Sequence, residues 1–244
     1  MRLTIVTGVS KGLGAAFFDE FSQAGDHVLA LGRHFTEAQR AKETAEPNRI
    51  RLRPTDLSKP ASLPNADELA EFVNSRVLGD VVLVHNAAQF EPFGPIGELP
   101  SDEVTTAVLV NLVAPMLLTN ALFATEPIGG MDNERVPRRN ITVVFISSSA
   151  AHRVSGGRSV YGSTKRAAEM FFASLEAERG PNARVRVVIA DPGVMDTDMQ
   201  ATVREHARND AYFPGRERFL DRYDRGELHS AAEVARRIIS EQLS

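Results

Sequence analysis

Six short apolar runs, at residues 3–7, 27–31, 50–53, 81–85, 141–147 and 185–190, are separated by stretches several times their length. This rhythm constrains the chain more than any other feature, because parallel strands cannot be joined by tight turns and need long crossovers, usually helical. Runs such as Val81-Val82-Leu83-Val84 are apolar on both pleat faces, which suits a strand covered by other layers on both sides. Between the first two runs, Leu13, Ala16, Phe17, Phe21 and Ala24 recur at helical spacing, and Gly25 follows as a C-terminal stop. Segments 64–78, 101–124, 161–179 and 231–243 repeat that pattern, with Ser101 read as the cap of the second and Asp102 and Glu103 in its first turn. The expectation is an α/β chain whose parallel sheet carries helices on both faces.

Composition narrows the function classes. With 43% hydrophobic and 25% charged residues, the 244-residue chain suits one globular domain, 1–244, with a single large core. A formal charge of -4 offers no basic face for phosphates, so nucleic acid is not an expected partner. The chain has no Cys, hence no disulfide or thiolate chemistry, and its six His lack metal-ligand spacing, so no metal is expected. No stretch approaches 18 uninterrupted apolar residues and the first run begins at once, so neither a membrane span nor export is expected and a cytoplasmic location is. Residues 126–140 read as a surface loop, and 192–230, long and mixed, as a lid over a substrate.

Chemistry concentrates at the ends of the apolar runs. The first ends in Thr7-Gly8-Val9-Ser10-Lys11-Gly12-Leu13-Gly14 and a helix follows immediately, so a pyrophosphate can approach the helix N-terminus closely. Gly8, Ser10, Lys11, Gly12, Leu13 and Gly14 are therefore candidate dinucleotide contacts. The second run ends Leu31-Gly32-Arg33-His34, where a carboxylate would repel a phosphate on the ribose. Arg33, with Lys11 from the glycine turn, suits a 2′-phosphate, so NADP(H) is the expected cofactor. Tyr161 and Lys165 lie four apart on one helix face. A free phenol, with a pKa of about 10, is a poor proton exchanger at neutral pH, and Lys165 with the oxidised nicotinamide is expected to lower it.

The series TGxxxGxG, Asp56-Leu57, His85-Asn86-Ala87-Ala88, Asn111, Ser148, Tyr161-xxx-Lys165 and Pro192-Gly193-Val194 with Thr197 falls in an order that resembles the short-chain dehydrogenase/reductase family. The resemblance implies a single Rossmann-type, doubly wound domain with six strands in the order 3-2-1-4-5-6. It implies that Asp56 and Leu57 flank the adenine and that Asn86 and Ala87 support sheet and cofactor. It implies that Asn111 holds a helix bend and a proton-relay water. Pro192, Gly193, Val194 and Thr197 would grip the nicotinamide end, Ser148 would orient a carbonyl, and Tyr161 would protonate it. His85 reads as a packed strand-end residue, and Asp196 and Asp198 as solvated.

The stretch Pro192-Gly193-Val194-Met195-Asp196-Thr197-Asp198-Met199-Gln200 resembles the sepiapterin reductase and bacterial benzil reductase branch, which implies NADPH-dependent reduction of one carbonyl of a vicinal dicarbonyl. Candidate pocket residues are Phe90, Phe93, Met195, Met199, Tyr212 and Phe213. Ser230 stands where sepiapterin reductases carry an acidic pterin anchor, which favours an aryl diketone or similar small-molecule carbonyl substrate. Other readings remain open at this point: a reductase of a 3-oxoacyl thioester or sugar, or a non-catalytic NADP(H)-binding sensor. The resemblance also implies a homodimer through the helices at 101–124 and 161–178.

Overall fold

The computed structural model describes residues 2–74, 79–125, 139–179, 184–209 and 217–243. Strands β1 (Leu3–Thr7), β2 (His27–Gly32), β3 (Ile50–Pro54), β4 (Val81–His85), β5 (Ile141–Ile146) and β6 (Val185–Ala190) form one parallel sheet in the order β3-β2-β1-β4-β5-β6. The helices are α1 (Gly12–Gln23), α2 (Glu37–Ala45), α3 (Ala66–Asn74), α4 (Ser101–Val108), α5 (Ala114–Thr125), α6 (Ser159–Arg179), α7 (Asp198–Asn209), α8 (Glu217–Asp224) and α9 (Ala231–Gln242). The strand order is the expected one. It reverses between β1 and β4, and the crevice beyond the carboxyl ends of such a pair is where doubly wound sheets take ligands.

Side-chain alternation divides the core in two. Leu3 and Ile5 of β1, Leu29 and Leu31 of β2, Leu83 of β4 and Phe145 of β5 face α3, α5 and α6. Val6, Val28, Ala30, Val84 and Val144 point the other way, onto Phe17, Phe18 and Phe21 of α1 and Val234 and Ile238 of α9. Full burial of each large apolar side chain contributes about 1.5–3 kcal/mol, which explains why the central strands carry almost no polar residues. Edge strand β3 has one wet face instead, where Arg53 pairs with Glu68 at 3.0 Å.

Helix α1 ends as its glycine predicts. Gly25 has φ +83°, its N–H donates to the Ser22 carbonyl, and the Asp26 N–H donates to the Phe21 carbonyl at 3.1 Å. These two bonds satisfy carbonyls that the helix end would otherwise leave open. The expected cap of α4 is corrected: Pro100 occupies the capping position and Ser101 is the first helical residue.

Between α4 and α5 the helix widens into one π-helical turn, Leu109–Val113, with Asn111 fully buried in it. A π turn displaces the helix register and commonly marks a functional position. The continuous helix Ser101–Thr125 is long and apolar enough to cross a membrane. Here Leu118, Leu122 and Phe123 of that helix pack against the sheet.

Three helices escaped the apolar pattern. Helix α2 is almost wholly polar, but a reciprocal capping box between Thr36 and Gln39 starts it, and the buried Gln39 side chain donates to the Val9 carbonyl at 2.8 Å. The lid expected over 192–230 contains α7 and α8, and is pinned at its base where Met195 bridges His229 and the Asp196 N–H donates to the His229 carbonyl. Tyr212 and Phe213 lie outside the described residues, as does most of the loop expected at 126–140. Ser230 caps α9 in a capping box with Glu233, which gives its hydroxyl a structural task.

Candidate active site

The glycine turn after β1 is built by exclusion of side chains. Gly8 has φ +74°, and a Cβ there would lie 2.9 Å from Ala87 Cα. A Cβ on Gly14 would approach Asn86 Nδ2 to 2.5 Å and collide with the Gly8 carbonyl. Asn86 explains the tightness: its Nδ2 donates to the Thr7 and Gly8 carbonyls, at 3.1 and 3.2 Å, and so ties β4 to the turn. The Ser10 hydroxyl donates to the His34 carbonyl at 2.6 Å, which fastens the turn to the end of β2 as well. No side chain caps α1, whose capping position is Lys11, so its first N–H groups have no side-chain partner.

That groove has a volume of about 310 Å³. Gly8, Ser10, Lys11, Gly12, Leu13, Arg33, Asp56, Leu57, Asn86, Ala87, Tyr161, Lys165, Pro192 and Thr197 all line it, so most of the sequence-predicted cofactor contacts come together. Gly14 does not; it packs beneath the turn. Gly193 and Val194 line a second, adjoining cavity. Lys11, expected to reach a ribose phosphate, pairs with Asp198 of α7 at 2.8 Å, both exposed. Asp196 pairs with Arg204 at 3.6 Å. The two aspartates are exposed, as expected, and each also pairs with a cation. The Asp56 carboxylate is held below its ordinary range, chiefly by the Ser58 hydroxyl it accepts from.

Beyond the groove, Ser148 follows β5 and Tyr161 and Lys165 project from α6. The Ser148 hydroxyl accepts from the Ala150 N–H at 3.2 Å and lies near enough to the Tyr161 phenol to oppose the upward shift of its pKa. Lys165 is buried, and its Nζ donates to the Ile146 carbonyl at 2.7 Å while lying 5.8 Å from the Tyr161 ring centre. Asn111 Oδ1 accepts from the Gln89 N–H at 2.7 Å, and its Nδ2 donates to the Gln89 carbonyl and Thr164 Oγ1. Asn111 lies in the π-helical turn, and its side chain clasps the loop after β4 to α6.

The family model for short chain dehydrogenases matches residues 2–208. The chain belongs to that family. A benzil reductase ((S)-benzoin forming) of Bacillus subtilis (strain 168) is 32% identical over 245 residues, covering 98% of this chain and 93% of its own length. Another from Bacillus cereus is 30% identical over 241 residues, with 98% and 92% covered. The crystal structure of the KRED1-Pglu enzyme superposes with a TM-score of 0.79 at 27% identity, covering 100% of this chain and 95% of that one.

In this short-chain dehydrogenase the electrostatics of the tyrosine differ from the expectation. Burial pushes the Tyr161 phenol up to about 12, aided by Asp191 and opposed by the Ser148 hydroxyl and by Arg158. Arg158 is a cation that favours the phenolate. Lys165 is itself brought down to about 7 by burial, with Glu169 acting against the shift. His85 is as expected a packed residue: Nε2 bonds Thr119 Oγ1, and burial drives its pKa down to about 3.

The second cavity, about 910 Å³, opens beneath α7 and α8 and meets the cofactor groove at Ser147, Tyr161, Pro192, Met195, Thr197 and Met199. Of the predicted substrate residues, Phe90, Met195 and Met199 line it. Phe93 backs it indirectly, stacking on Phe90, which in turn contacts the Tyr161 ring at 5.0 Å. Sequence reasoning missed Arg158, Gln200 and Val203 on its wall, and the acid behind it. Glu169, buried on α6, accepts from the Ser147 hydroxyl at 2.5 Å and from His152. Spacing on α6 could have found Glu169, four residues after Lys165 on one face. For Arg158, in the loop before α6, no periodic signal exists.

Proposed function

We propose that this short-chain dehydrogenase is an NADPH-dependent carbonyl reductase acting on one carbonyl of a vicinal dicarbonyl, with Tyr161 as the general acid. One observation carries the reading: Tyr161 stands at the junction of the cofactor groove and the larger cavity, beside Ser148. The fit to a dinucleotide rests on the side-chain-free cradle at Gly8 and Gly12 and on the open N–H groups of α1. Lys165 would hold the ribose hydroxyls, and Arg33, exposed at the end of β2, a 2′-phosphate. The benzil reductase relatives support the choice of dicarbonyl.

Bound there, the nicotinamide supplies the hydride that the carbonyl carbon accepts. The chain's own residues supply everything else. The Ser148 and Tyr161 hydroxyls donate to the substrate oxygen and stabilise the negative charge developing on it. A phenol pushed up to about 12 stays protonated at neutral pH, which is the form that reduction consumes. Its proton passes to the alkoxide oxygen and leaves the alcohol. Phe90 and Met199 cover the site with apolar surface and strengthen these polar contacts by keeping water away.

The test is oxidation of NADPH by the purified protein with benzil, sepiapterin and an acetoacetyl thioester, each repeated with NADH and with Tyr161→Phe. Tyr161-dependent turnover of benzil with NADPH supports the proposal. Turnover of the thioester alone would assign the site to another carbonyl class, and NADPH binding without any turnover would favour a sensor.

A further inference from the structure

On the wall of the large cavity the side-chain amide of Gln200 is out of balance. Gln200 of α7 lines the wall and is only 8% exposed, yet its Nε2 has no hydrogen-bond partner among the described residues. Buried side-chain amides are normally satisfied, because a desolvated donor left alone destabilises the fold by more than a made hydrogen bond returns. Its place on the helix is well fixed. The Gln200 N–H donates to Thr197 Oγ1 at 3.4 Å at the start of α7, and Val203, one turn on, packs in a cluster with Phe90 and Tyr161. Residues three apart share a helix face, so Gln200 occupies the face of α7 turned toward the tyrosine. Around it the wall is apolar, with Met199, Val203 and Phe90. Nε2 itself is shielded as the side chain stands, so the amide must turn about its terminal torsion to present the donor to an acceptor in the cavity.

We propose that Gln200 is a substrate-orienting residue whose side-chain amide donates a hydrogen bond to the second carbonyl oxygen of a vicinal dicarbonyl, while the first carbonyl sits at Ser148 and Tyr161. The inference rests on the reading of the site as a dicarbonyl reductase and adds to it the group that separates a dione from a simple ketone. A substrate with two adjacent carbonyl oxygens satisfies the phenol and the amide together. A mono-ketone of the same shape leaves Nε2 unpaired, as it is in the free protein, and so forgoes the stabilisation that the second carbonyl brings.

The experiment compares benzil with deoxybenzoin, which keeps both aryl rings and replaces one carbonyl by a methylene, in the wild type and in Gln200→Met, a change of similar volume. Gln200→Met should lower kcat/KM for benzil about 10- to 100-fold and leave that for deoxybenzoin within about twofold. Comparing each substrate across the two proteins removes the difference in intrinsic reactivity. Thermal unfolding and NADPH affinity serve as the control for folding. Because the substitution removes an unpaired buried donor, Gln200→Met should unfold no lower than wild type, whereas a glutamine with a merely structural role would lower it. Equal losses on both substrates, or no loss on either, would overturn the inference while leaving the reductase reading intact. A wild-type protein that binds NADPH but reduces no dione would overturn the reading and the inference with it.

Discussion

Gly14→Ala tests the cofactor cradle through its weakest tolerance. The added methyl would sit 2.5 Å from Asn86 Nδ2 and 2.8 Å from the Gly8 carbonyl carbon, against about 3.5 Å for an ordinary heavy-atom contact. Neither neighbour can retreat. The Gly8 N–H is bonded to the Leu31 carbonyl at 2.8 Å, and Gly8 lies hard against Ala87 on the other side. The Asn86 amide is fixed by its bonds to Thr7 and Gly8. Forced overpacking costs about 1–3 kcal/mol. Losing the two Asn86 bonds costs about 1 kcal/mol each. The better helix propensity of Ala returns about 1 kcal/mol, so the net destabilisation should be about 2–4 kcal/mol. Urea unfolding followed by circular dichroism measures it, and NADPH fluorescence on binding measures the damage to the cradle. Gly25→Ala is the comparison: nothing lies within 4 Å of its Cβ, so only the positive φ of +83° resists, for about 1 kcal/mol, and NADPH binding should be unchanged. If Gly14→Ala unfolded within about 0.5 kcal/mol of wild type and bound NADPH equally well, the account of this turn would be wrong.

Three further outcomes are expected. Tyr161→Phe should keep NADPH affinity and lower turnover of the accepted carbonyl about 10²- to 10⁴-fold; a rate near wild type would remove the phenol from the mechanism. Arg33→Asp should shift the ratio of catalytic efficiencies from NADPH toward NADH, and an unchanged ratio would refute the phosphate assignment. His85 is held neutral in the fold down to about pH 3, while the unfolded chain takes up its proton near pH 6.5. Its contribution to stability is therefore full above pH 6.5 and drains as pH falls toward 3. Between pH 7 and pH 5 it accounts for about 2 kcal/mol, so His85→Gln should flatten the fall in urea stability over that interval, and an unaltered slope would count against a neutral buried imidazole.

Much of this molecule was legible before any coordinates. Continuous apolar runs such as 81–84 are meaningful by themselves, because only a strand covered on both faces needs them, and the crossovers between such strands force a parallel sheet. The glycine turn and the Tyr161/Lys165 pair were equally readable, since local spacing along one strand end or one helix face fixes the neighbours. Helices α2, α7 and α8 were not, because α2 and α7 carry few apolar residues and are held by caps and by contacts remote in sequence.

The sequence by itself thus determined the parallel sheet and the residue types of the cofactor groove, because those depend on hydrophobic periodicity and short spacings, while the strand order came from the resemblance to the short-chain dehydrogenase/reductase family. Only the tertiary structure decided how the groups act on one another. It buries Tyr161 and shifts its phenol upward with Arg158 as an opposing cation, sets Lys165 on the Ile146 carbonyl, and leaves the Gln200 amide unpaired in the cavity wall. Burial and desolvation depend on what the rest of the chain brings to each side chain, and that is not written in any short stretch of residues.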